Sequence, residues 1–157
     1  EPRDEEHSLE IELPFLQVAL GEFSLVPIML GEHIGDPGAR GRVAALAAAL
    51  AELCDDRTLL VASTDLSHLE DYADVVRTDR RLAALVAAFD ADRLAAALAT
   101  GQAQACGATG LVAALEAARL RGAKGVQILA QTTSGDVTGN KRPGSYTVGY
   151  LAAAAYG

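Results

Sequence analysis

The sequence predicts an α/β layer structure with helices on both faces of a mixed sheet, and three observations lead there. Short apolar runs bounded by glycine or polar residues recur at 23–30, 58–63 and 125–131. Alanine- and leucine-rich stretches with few β-branched residues lie between them, as helices prefer. Half of the 157 residues are apolar, enough for one domain, 1–157, with a sizeable core. Strands alternating with helices call for layers, since each sheet face must be covered.

The elements follow in order. Residues 7–20 (HSLEIELPFLQVAL) admit two readings. Leu9, Ile11 and Leu13 alternate with Glu10 and Glu12 as in a strand, whereas Leu9, Leu13, Leu16 and Leu20 recur at helical spacing. The longer period predicts a helix, which Pro14 would bend or deprive of a hydrogen bond. Residues 23–30 (FSLVPIML), ended by Gly31, predict a buried strand, and GEHIGDPGARG a loop. Residues 43–53 predict a helix, and 58–63 (TLLVAS) a second buried strand running directly into TDLSH. A helix is predicted over 72–89, with Val75, Leu82, Val86 and Phe89 on one face, and a shorter one over 91–99. Residues 101–107 form a break containing Cys106, and 109–120 are helical again. The third strand, 125–131, leads into the turn-rich TSGDVTGNKRPG, and SYTVGYLAAAAY predicts a closing strand.

Charge and composition narrow the function. A net charge of −8 argues against nucleic acid, whose binders present basic stripes. No window approaches the roughly 18 apolar residues of a membrane-spanning helix. The opening EPRDEEH is too polar and acidic for a secretory or transit signal. Cys54 and Cys106 follow no zinc-finger or CxxC spacing, and two lone thiols suit a reducing compartment, so the cytoplasm is the expected location. The chain opens on Glu1 and reaches a dense motif within ten residues, which predicts a fragment of a longer protein.

Three clusters can carry chemistry: Glu6-His7-Ser8, Ser63-Thr64-Asp65-Leu66-Ser67-His68, and Cys106-Gly107. Imidazole, carboxylate and thiolate are transition-metal ligands. Asp65 and His68, three apart beyond an apolar run, also suit an orienting or acid/base pair. Each has a plainer reading. His7 beside a helix start could be solvated, with Ser8 as the cap. Asp65 and His68 could form a structural pair, and Cys106 could be a small buried residue. His33 is expected in solvent, Cys54 in packing and Asp136 in a turn.

EHSLEIELPFLQ, the following VPI with Gly31, ASTDLSH, Cys106-Gly107, TSGDVTGN and the terminal TVGYLA occur here in one order. In that combination the chain resembles the Memo family, the B component of AmmeMemoRadiSam systems, over the C-terminal portion of a typical member. The resemblance implies a three-layer α/β/α fold like that of class III extradiol dioxygenases, with the N-terminal part absent here. It also implies a pocket in which His7 and Cys106 are metal ligands and Asp65 and His68 their catalytic neighbours. A further pocket histidine belongs to the part not contained in this sequence, so the metal (iron, copper or zinc) is expected to bind weakly to this chain.

The implied function is that of a metal-dependent redox or dioxygenase-like enzyme acting on an unknown small molecule. The alternatives are a non-catalytic module binding a peptide or anion in the same pocket, and a component acting only with AMMECR-type and radical SAM proteins. Arg80, Arg81, Lys141 and Arg142 lie away from the three clusters in sequence, and phosphate recognition normally clusters arginine. Sheet strands lost with the N-terminal part would leave an apolar edge favouring self-association.

Overall fold

Proline 14 decides how the first ordered helix begins. In the computed structural model, which describes residues 7–157, α1 spans Leu13–Leu20 with Pro14 in its first turn. There the missing N–H has no helical partner to lose, so proline starts the helix rather than bending it. Gly21, at φ +74°, ends it. The described residues fall into two units, the first ending at Gly31 and the second spanning Glu32–Gly157. Glu6 lies outside the described residues.

In the first unit, residues 23–30 are not the predicted buried strand. They pair with no strand among the described residues, and Val26 is 79% exposed. Apolar composition alone does not make a strand: it needs a ladder partner, and Pro27 has no N–H to offer one.

The second unit holds the remaining elements. Helix α2 spans Ala39–Leu53, starting before the predicted residue 43 because Gly38, at φ +79°, turns the chain into it. Residues 58–63 also depart from expectation. They belong to no strand, and Leu59 is 62% exposed. The chain entering them is tied into a turn instead, with Thr58 donating from its N–H and its hydroxyl to Asp55. Ladder pairing begins only at Leu66, whose N–H donates to Gly149 O, and continues into the short strand β1, His68–Leu69.

Helices α3 (Tyr72–Ala87), α4 (Ala91–Ala99) and α5 (Ala108–Leu120) match the predicted periods closely. Asp71 caps α3 by accepting from Ala73 and Asp74 N–H, and Asp90 caps α4 through Arg93 N–H. Strand β2 (Gly125–Thr133), the five-residue helix α6 (Ser134–Thr138) and strand β3 (Thr147–Tyr156) complete the unit.

The sheet order is β1-β3-β2, and both pairings are antiparallel. Among the described residues it is therefore a small antiparallel sheet where alternation predicted a mixed one. Helix α3 packs on β2 and β3, while α5 packs between α2 and α4. Leu82, Leu94, Val112 and Val86 are fully buried at the centre of the core, with Val126, Ile128 and Leu151 of the sheet packed against it. The opposite side of β2, bearing Gln127, Leu129 and Gln131, is exposed. Arg40 joins three helices, reaching Asp92 of α4 at 2.6 Å and the nearly buried Glu116 of α5 at 2.7 Å. No described helix is long and apolar enough to cross a membrane.

Candidate metal centre

The pairing of residues 66–69 with β3 sets which way the TDLSH side chains face. Leu66 N–H donates to Gly149 O, and Gly149 N–H donates to Ser67 O at 3.0 Å. Alternation along this stretch then separates its side chains into two sets. Ser67 is fully buried toward α3, where its N–H and hydroxyl both donate to Asp79 Oδ1, at 3.1 and 2.6 Å. His68 turns the other way and is exposed.

Asp79 is 1% exposed, and its second oxygen has no hydrogen-bond partner among the described residues. Burial pushes this carboxyl above the usual range, against the opposing pull of Ser67 and His68. A Cβ at Gly149 would stand 1.5 Å from that oxygen, so only glycine allows β3 to pass Asp79 this closely.

The second half of the site is the entry to α5. Cys106 N–H donates to Asp65 O at 3.2 Å, and Asp65 N–H donates back to Cys106 Sγ at 3.2 Å. Thr64 Oγ1 lies 3.5 Å from the same sulfur and accepts from Gly107 N–H at 2.7 Å. Gly107 is required by space: its added Cβ would meet Thr64 at 2.9 Å. These bonds hold the thiol against the TDLSH backbone.

Asp65, His68 and Cys106 thus converge, with one ligand atom of each lying within 4.8 Å of the others. His68 Nε2 is 3.5 Å from Asp65 Oδ2. Its Nδ1 is 2.9 Å from the hydroxyl of Tyr146, whose ring meets the imidazole edge-on. Cys106 and His68 are exposed and Asp65 is half-buried, so the group is accessible. Tyr150 lies close enough for the Asp65 charge to add to desolvation in raising its hydroxyl.

The other sequence candidates have the following surroundings. In the first unit His7 is exposed, with Nδ1 3.6 Å from Glu10. Cys54 is buried, as expected, and Cys106 is exposed rather than a packed small residue; both thiols are free. His33 is exposed, though its Nδ1 accepts from Gly35 N–H. Asp136 does more than mark a turn. It closes a capping box with Thr133 and binds Lys141 and Tyr72, and Lys141 foremost lowers its pKa to about 2.

Sequence reasoning missed Asp79 and Tyr146. Asp79 carried a signal, a carboxylate four residues after Val75 and three before Leu82 on the apolar stripe of α3. Tyr146 carried none, since nothing local marks an aromatic residue before a strand as a histidine's partner.

The donor set fits a transition-metal ion. Two ligand atoms at about 2.0–2.1 Å from a tetrahedral ion stand about 3.4 Å apart, close to the His68–Asp65 separation. Oxygen, nitrogen and sulfur donors together suit zinc, iron or copper better than magnesium or calcium.

The family model for Memo-like proteins matches residues 2–154. A MEMO1 family protein of Aeropyrum pernix is 38% identical over 148 residues, covering 94% of this chain and 50% of that protein. MEMO1 family proteins of Thermotoga maritima and Methanopyrus kandleri are 36% and 33% identical over the same shares. The chain spans about half the length of these curated relatives. It belongs to the Memo-like protein family.

Proposed function

We propose that this chain is a metal-dependent, oxidoreductase-type Memo protein whose second unit binds one transition-metal ion through Asp65, His68 and Cys106. The observation that carries this reading is the convergence of their three ligand atoms within 4.8 Å. A bound ion with three protein ligands keeps positions open for water or substrate and supplies Lewis-acid or redox chemistry. The chain's own residues prepare that state. Tyr146 gives His68 Nδ1 a hydrogen-bonding partner, which favours a deprotonated Nε2 as ligand when Nδ1 carries the proton. The Asp65 N–H donates to Cys106 sulfur and fixes its position beside the carboxylate and imidazole.

The resemblance adds His7 as a ligand and a dioxygenase-like three-layer arrangement, both part of this proposal. AMMECR-type and radical SAM partners belong to it too, through family association. The sulfur donor favours a metal centre over an anion-binding module.

Calorimetric titration with Zn2+ or Fe2+ tests the reading, together with iodoacetamide labelling of the free thiols. The expected result is one equivalent bound, binding weakened at least about tenfold by His68→Ala or Cys106→Ser, and protection of Cys106 by metal. His7→Ala reports separately on the residue the resemblance adds. Binding unchanged in both His68→Ala and Cys106→Ser would end the proposal.

A further inference from the structure

A cavity of about 400 Å3 opens beside His68 and Cys106. Its walls include Leu66, Leu98, Ala105 and Ala108, with His33 and Gln104 as polar members. His33 is held by its own loop: its N–H donates to Asp36 Oδ2 at 2.9 Å, and Asp36 N–H donates to its carbonyl. Its Nδ1 accepts from Gly35 N–H at 3.1 Å. A nitrogen accepting from a backbone N–H carries no proton, so the neutral ring bears its hydrogen on Nε2. His33 is therefore a hydrogen-bond donor and not a metal ligand, the reverse of the role given to His68.

The chemistry of the lining limits what enters. No Lys or Arg is among the described lining residues, Asp65 lies beside His68, and the chain carries a net −8. Without a bound ion, a carboxylate or phosphate would meet no fixed cation and one nearby anion. An amine would find only Asp65, which lies outside the lining and already stands 3.5 Å from His68 Nε2. Aliphatic walls with a neutral N–H donor suit an uncharged apolar molecule bearing one acceptor oxygen.

We propose that this cavity is a binding site for a small uncharged carbonyl compound, held by its apolar body against Leu98 and Ala105 and by its oxygen on His33 Nε2. The proposal deepens the metal-centre reading, on which it rests for the idea that the ligand is a substrate; binding itself needs no metal.

The test is methyl NMR of the full chain, with and without Zn2+, titrated with cyclohexanone, cyclohexanecarboxylate and cyclohexylamine. Cyclohexanone is expected to shift the methyls of Leu66, Leu98, Ala105 and Ala108 and, without Zn2+, to bind more tightly than the two ions. His33→Phe should weaken it about fivefold, the scale of one neutral hydrogen bond, while leaving Zn2+ stoichiometry unchanged. Ala105→Phe, checked for folding by its own spectrum, should abolish the shifts. Equal cyclohexanone affinity in His33→Phe, tighter binding of the carboxylate without Zn2+, or shifts outside the cavity would overturn the proposal. Ketone binding without any Zn2+ binding would sink the metal-centre reading alone and leave the cavity site standing.

Discussion

At the residue scale, the site is held from behind by a carboxylate that has lost half its partners. Asp79 fixes Ser67, and Ser67 precedes His68, so the imidazole inherits its backbone position from α3. The raised pKa has a consequence for stability. In the unfolded chain Asp79 ionises near pH 3.9, while the folded form holds its proton to higher pH. Its favourable contribution is complete below the unfolded pKa and is lost as pH rises through the folded one. Asp79→Asn removes that loss. The variant should gain thermal stability over the wild type as pH rises from about 4 to 8, by about 3 °C or more at the upper end. Melting curves across that range check it, and a gap independent of pH would contradict it.

The sequence showed the Asp65–His68 pair and, apart from it, Cys106 as candidates, because polar residues closing an apolar run and a cysteine-glycine before a helix are local patterns. Their meeting was not legible from spacing, since it depends on hydrogen bonds between residues some forty apart, 65 with 106. Only the family resemblance grouped Cys106 with the pair.

At the element scale, the helices of the second unit were readable because period and propensity are local properties. Val75, Leu82 and Val86 are buried as their spacing predicts, and Phe89, just past the helix at φ +53°, is half-buried. Strands 23–30 and 58–63 failed because burial of a strand depends on a partner elsewhere in the chain. Helix α6 shows a local rule read too weakly. TSGD reads as a turn by composition, yet Thr133 and Asp136 form a reciprocal cap. Asp136, with its pKa lowered to about 2, steadies this corner above the ordinary carboxylate range and loses that effect as pH falls from about 4 toward 2. Asp136→Asn should therefore lower the melting temperature at pH 6, with the difference from wild type shrinking at pH 2.5. Melts at the two pH values decide it, and a difference that persists at pH 2.5 would count against the Lys141 and Tyr72 contacts.

On the scale of the whole molecule, the acidic balance argues against nucleic-acid partners without naming a substrate. The second unit contains a core, a sheet covered on one side by α3, and the candidate centre with its neighbouring cavity. Arg40 bridging α4 and α5 through Asp92 and Glu116 ties together the helices that position Cys106. The central claim is that Asp65, His68 and Cys106 share one ion. Zinc K-edge X-ray absorption on the metal-loaded chain tests it most directly. The account predicts one sulfur at about 2.3 Å with nitrogen and oxygen at about 2.0–2.2 Å, and loss of the sulfur in Cys106→Ser. A shell of light atoms alone in the wild type, or a sulfur that persists in Cys106→Ser, would contradict it.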